Sequence, residues 1–150
     1  MSQSNYQLHD RMGYQLSRAS RSLQTRLEAG LSPLGLTRLK WCALSGIGLE
    51  GVSTPSELSE HIGITRPATS RLLRQMMEQG LVMQKNEPRD RRSKTLHLSE
   101  AGLHLLGQGR DVVDENNAHF RDKLTTAERQ ALAGLLAKLV SGEDRALDKI

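Results

Sequence analysis

The sequence predicts a mainly α fold, about six helices with a two-stranded wing, and three observations predict it. Apolar residues recur at helical spacing through most of the 150 positions. Two short amphipathic helices meet at a single glycine, Gly63. Two short alternating segments then bracket the polar turn Asn86-Glu87-Pro88-Arg89-Asp90-Arg91-Arg92-Ser93. Helix, tight turn, helix, strand, basic turn and strand is the order of a winged helix-turn-helix.

Each element has a local reason. Leu8, Met12, Leu16, Ala19, Leu23 and Leu27 recur at steps of three and four, one face of a long first helix expected to end near Ala29-Gly30. A second helix is expected from Thr37, burying Leu39, Trp41, Ala43 and Leu44. Thr54-Pro55-Ser56-Glu57 combines a cap, a proline at the first helical position and the acid of a capping box. That helix buries Leu58 and Ile62 and stops at Gly63, and Ile64 anchors the turn. Thr65 caps the next helix, which buries Thr69, Leu72, Leu73 and Met76 and ends at Gly80. Leu81 to Lys85 and Lys94 to Leu98 read as short strands, with Leu96 and Leu98 alternating against Thr95 and His97. Ser99 caps a long helix, and Thr125-Thr126-Ala127-Glu128 opens a last one carrying Leu132, Leu135, Leu136 and Leu139.

The chain is expected to be a single domain over residues 1–150. Its winged part spans 36–98, and the helices of 1–35 and 99–150 flank it. Both terminal helices carry apolar stripes outside the winged core. Such stripes either fold back on their own subunit or pair with a second copy about a two-fold axis, and the homodimer is the expectation.

Charge is distributed unevenly. The net formal charge is +4, yet residues 66–94 hold eight basic side chains against three acidic ones, and residues 99–150 hold seven against nine. A basic block in a mildly acidic remainder suits a polyanion. None of the four aromatic residues, Tyr6, Tyr14, Trp41 and Phe120, lies in that block. Single strands are gripped by stacking on rings, so duplex DNA is favoured over RNA. No apolar run is long enough for a membrane span. The polar start Met1-Ser2-Gln3-Ser4-Asn5 and the lone Cys42 suit a cytoplasmic protein.

On the second motif helix, the face opposite the apolar one shows Arg66, Pro67, Ser70, Arg71 and Arg74. Ser70, Arg71 and Arg74 are expected at the major groove or its rim, where an arginine can pair bidentately with guanine. Glu78, four residues on, offers Arg74 an alternative partner. Thr65 and Arg66 stand at the helix N-terminus, which favours a phosphate. In the wing, Arg91 or Arg92 would enter the minor groove, and Asp90 would orient a neighbouring arginine. Lys85, Arg89 and Lys94 are either phosphate contacts or solubility charges.

Other signals are set aside. Gly46-Ile47-Gly48-Leu49-Glu50-Gly51 matches a dinucleotide fingerprint, but a helix precedes it and no acid lies between Glu60 and Glu78, so it reads as a flexible connector. The five histidines show no ligand spacing, and His61 reads as a helix-face partner of Glu57. No catalytic grouping, metal or cofactor is expected.

In the order and spacing of its motifs the chain resembles the MarR family of bacterial transcription regulators. The resemblance is densest from Leu36-Thr37 to Trp41, from Ser56-Glu57-Leu58 to Leu73, and in Gly80-Leu81-Val82. It continues in Asp90-Arg91-Arg92, Leu98-Ser99-Glu100-Ala101-Gly102 and Thr126-Ala127-Glu128-Arg129. The wing run departs at its start from the family's Asp-Pro-x-Asp-Arg-Arg and keeps the Asp-Arg-Arg core. The resemblance implies a triangular dimer built on the terminal helices, and binding to a pseudo-palindromic operator. It also implies a small, often aromatic or anionic, effector between dimer domain and winged module, and favours Arg92 as the minor-groove arginine. Repressor is the expected sense, with release by the effector. Two rival readings are a winged-helix protein-interaction module with no DNA role and a thiol redox sensor at Cys42. The family's redox sensors carry their thiol near the N-terminus, and this chain has none there.

Overall fold

Six α-helices and one antiparallel hairpin follow one another in the computed structural model, which describes residues 6–87 and 89–143; the side chains of 90–93 lie outside the described set. The helices are α1 (Met12–Leu31), α2 (Arg38–Leu49), α3 (Pro55–Ile62), α4 (Arg66–Glu78), α5 (Glu100–Arg121) and α6 (Thr126–Val140). The hairpin between α4 and α5 is β1 (Val82–Glu87) with β2 (Asp90–Leu98).

The caps behave as their chemistry requires. Thr54 and Thr125 each accept the backbone N–H three residues on, while Glu57 and Glu128 reach back to the cap N–H, so both capping boxes are complete. Thr37, Thr65 and Ser99 cap α2, α4 and α5 in the same way. Gly63 takes the left-handed conformation (φ 76°) that ends α3.

The core lies among α2, α3, α4, β1 and α5. It contains Leu44, Leu58, Met76 and Val82, with Leu31 and Leu36 closing it at the end of α1. From α4 the residues buried are Thr69, Leu72, Leu73 and Met76, the four that periodicity selects. Leu39 and Trp41, expected inside, are half-buried.

Four expectations are corrected. The first helix continues through Gly30 to Leu31, and a short 3-10 turn, Ser32–Leu34, carries the chain to a left-handed Gly35 (φ 71°). Gly30 is instead a point of close approach, because a Cβ there would lie 2.6 Å from Cγ1 of Val112 on α5. Leu8 falls in a separate 3-10 turn, cut off from α1 by extended Arg11. The Gly46 to Gly51 run is not a flexible connector, since Gly46 to Leu49 form the last turn of α2. A Cβ on Gly48 would lie 2.5 Å from Leu106 and 2.7 Å from Leu98, so this glycine lets α2 seat against α5 and the hairpin. The strands also run further into the basic turn than expected. The ladder pairs Val82 with Leu98 through to Asn86 with Lys94, then shifts register so that Glu87 faces Asp90.

The hairpin is anchored at both ends. The N–H of Leu96 donates to the Ser53 carbonyl at 2.7 Å, tying β2 to the loop before α3. At the base, the Ser99 N–H donates to the Leu81 carbonyl at 3.0 Å. Gly102 packs against that same carbonyl oxygen, with no room for a Cβ. Gly107, one and a half turns further along α5, has open space where its Cβ would be. Gly102→Ala should therefore destabilise the fold by about 1–3 kcal/mol through overpacking. Gly107→Ala should stabilise it by about 0.5–1 kcal/mol through helix propensity. Urea unfolding of the two variants measures both, and equal effects would contradict the packing described at the wing base.

Candidate nucleic-acid interface

The turn between α3 and α4 sets where α4 points. Buried Ser59 donates its hydroxyl to the Ile64 carbonyl at 2.7 Å, and its own carbonyl accepts the N–H groups of Gly63 (2.9 Å) and Ile64 (3.2 Å). Sequence reading gave Ser59 no role. A serine on an otherwise apolar helix face, four residues before the turn glycine, was the available signal.

With its apolar face in the core, α4 presents Arg66, Pro67, Ser70, Arg71 and Arg74 to solvent, all exposed. Among the described residues no carboxylate lies within salt-bridge distance of Arg66, Arg71 or Arg74, so the alternative pairing of Arg74 with Glu78 is not formed. Thr65 Oγ1 accepts from the Ala68 N–H at 3.2 Å, and Pro67 has no N–H. The start of α4 thus offers less backbone to an anion than expected, and its positive charge is mainly that of Arg66.

Beside α4 a groove of about 670 Å³ opens toward the wing. Arg66 and Ser70 line it from α4, Ser56 from the start of α3, and Gln84, Lys94 and Thr95 from the hairpin. Arg66 Nη2 stands 3.4 Å from Ser56 Oγ across the gap. Glu87 brings one carboxylate to the wing end of the groove. Lys85 and Arg89 are exposed, and alternation puts Lys85 on the other side of the ribbon from Gln84. The side chains of Asp90, Arg91 and Arg92 lie outside the described residues. Ser56, Gln84 and Thr95 were missed because their convergence depends on the hairpin register.

The loop before α3 is held by Glu57. Its carboxylate accepts the N–H (2.9 Å) and hydroxyl (3.2 Å) of Ser53 and the N–H of Thr54 (3.3 Å). The Ser53 N–H holds this carboxyl below the usual range; desolvation opposes it, and the Ser53 hydroxyl and Thr54 N–H add smaller lowering contributions. Glu57 is therefore not free for His61, which pairs at 3.2 Å with Glu50, just past the end of α2, instead.

Cys42 is half-buried, and burial pushes its thiol pKa up against a smaller lowering by Arg38. A raised pKa disfavours the thiolate that a redox sensor needs. No helix is long and apolar enough to cross a membrane among the described residues. No group of three or more potential metal ligands occurs there either.

An exposed cationic helix beside a hairpin groove defines a winged helix-turn-helix of the nucleic-acid-binding class. The MarR family model matches residues 34–93. Among solved structures, a probable transcriptional regulator from Pseudomonas aeruginosa is 28% identical with a TM-score of 0.78, covering 89% of this chain and 99% of its own. A Mycobacterium tuberculosis MarR family protein, in complex with p-aminosalicylic acid, is 28% identical with a TM-score of 0.67, covering 87% and 99%. A cysteine-to-serine mutant of MarR from E. coli, complexed with operator DNA, shares the fold at 23% identity with a TM-score of 0.79, covering 90% and 99%. Over residues 34–93 the chain matches the MarR family, and it shares the fold of these solved regulators over most of its length.

The sign of the Glu57 effect gives a pH test. A carboxyl with a lowered folded pKa contributes stability that is present above its unfolded value, about 4.3, and lost as pH falls through the folded one. Glu57→Gln should therefore flatten the acid limb of the stability curve below about pH 5. Thermal unfolding from pH 7 to pH 3 measures this, and parallel curves for the two proteins would remove the role given to the carboxylate.

Proposed function

We propose that the protein is a homodimeric, sequence-specific regulator of transcription on double-stranded DNA, acting as a repressor that a small-molecule effector releases. The observation that carries this reading is the face of α4, where Arg66, Ser70, Arg71 and Arg74 stand exposed with no carboxylate partner among the described residues. In the proposed complex α4 lies in the major groove. Arg71 and Arg74 reach base edges, and Ser70 and Pro67 make closer contacts at the helix start. Arg66, Lys94 and the hydroxyls of Ser56 and Thr65 hold phosphates. Lys85 and Arg89 add positive potential from the wing, whose tip enters the minor groove through Arg92 or Arg91, oriented by Asp90. The relative complexed with operator DNA supports this docking, and the one in complex with p-aminosalicylic acid supports an effector.

The homodimer rests on exposed apolar surface. In α6 no residue is buried, and Leu132, Leu135, Leu136 and Leu139 are all more than 40% exposed, as are Met12 and Leu23 of α1. Two copies packing residues 1–35 and 99–150 together would cover these stripes and present two α4 helices to a pseudo-palindromic site. Release requires an effector that favours one spacing of those helices over the other.

Anisotropy on the duplex upstream of the gene, with a scrambled duplex beside it, tests the reading. Arg71→Ala should cost about 1–3 kcal/mol on the natural duplex and relax sequence preference. Lys94→Ala should weaken both duplexes alike and lower the salt slope by about one. Equal weak binding of wild type to natural, scrambled and random duplexes would favour the protein-interaction module. For the dimer, Leu135→Glu should give a monomer by sedimentation equilibrium, and an unchanged mass would refute the assigned interface.

A further inference from the structure

On the polar side of α1, far along the chain from the basic block, His9, Tyr14, Ser17, Arg18 and Arg21 line an open pocket of about 390 Å³. The 3-10 turn Leu8–Asp10 folds back beside α1, and the His9 ring packs edge-on to Tyr14 at 4.8 Å between centroids. That contact leaves Tyr14 half-buried while Ser17, Arg18 and Arg21 stay exposed. Among the described residues neither Arg18 nor Arg21 has a carboxylate within salt-bridge distance. The polar groups of the lining can all donate hydrogen bonds: two guanidinium forks, two hydroxyls and an imidazole.

Tyr14, Ser17, Arg18 and Arg21 follow steps of three and four, about half a turn from the stripe Met12, Leu16, Ala19, Leu23 and Leu27. A partner covering the apolar stripe would leave this pocket open. We propose that it is a binding site for a small phosphomonoester carrying a flat ring. Arg18 and Arg21 would take the phosphate oxygens, helped by the Ser17 hydroxyl, and the ring would lie against Tyr14 and His9. Paired arginine forks suit a phosphate with three terminal oxygens better than a single carboxylate. The assignment stands on α1 and the 3-10 turn before it, and does not depend on the DNA-binding reading.

Phenyl phosphate titrated into the full-length, isotope-labelled protein tests it by amide NMR. The expected result is saturable shifts at residues 9–21, weakened at least tenfold in the Arg18→Ala/Arg21→Ala double variant and kept in Arg71→Ala/Arg74→Ala. Both arginines are exposed, so the first variant should keep the wild-type melting temperature. Shifts confined to residues 65–94, or binding unchanged in the first variant, would overturn the site. Equal affinity for benzoate would overturn the phosphomonoester class.

Discussion

Everything on the cationic side of the molecule depends on the burial of one face of α4. Thr69, Leu72, Leu73 and Met76 are each less than 10% exposed, and Met76 is fully inside. Burying the two leucines and the methionine contributes about 1.5–3 kcal/mol each, far more than any surface pair on the opposite face could. Rotation of α4 about its axis is thereby excluded, and Arg66, Ser70, Arg71 and Arg74 have no direction but outward. The cationic face is a consequence of packing, and its charges do little for the stability of the fold.

The groove beside α4 depends on a second set of contacts, at the roots of the hairpin. Leu96 donates to Ser53, Ser99 to Leu81 and Leu81 to Met76, so the wing hangs from the loop before α3, the start of α5 and the end of α4 together. Glu57 stiffens the first of these attachments by holding both Ser53 and Thr54. The distance between Lys94 and Arg66 is thus set by backbone bonds rather than by the attraction of either for a ligand. Such preorganisation lowers the entropy lost when a charged partner docks.

Helix α5 links the two halves of the molecule. At its start it carries the wing base through Gly102, in its middle it meets Trp41 at Gly109, and beyond that Val112 meets Gly30 of α1. Arg26 of α1 also pairs with Glu115 of α5 at 3.0 Å. Glycine recurs at these crossings because the helix backbones approach within the space a Cβ would need. A shift of α1 relative to its neighbours would therefore be felt through α5 at the wing. That is the physical route by which an event among the terminal helices could alter the placement of α4.

What could be read from the chain was whatever local chemistry decides. Capping boxes at Thr54 and Thr125, the left-handed Gly63, and the four buried positions of α4 follow from spacing and side-chain type, because each involves partners within a few residues. The cationic face followed from the same periodicity. What went unread depends on residues far apart in sequence. Gly30 and Gly48 look like helix ends or loop until Val112 and Leu106 are placed against them. Glu50 displaces Glu57 as the partner of His61 only because α2 and α3 pack side by side. Ser56, Gln84 and Thr95 join Arg66 in one groove only once the hairpin register brings β2 beside α4. Periodicity determines which face of a helix is buried, whereas the neighbour that buries it, and the cleft left between them, are decided by tertiary packing.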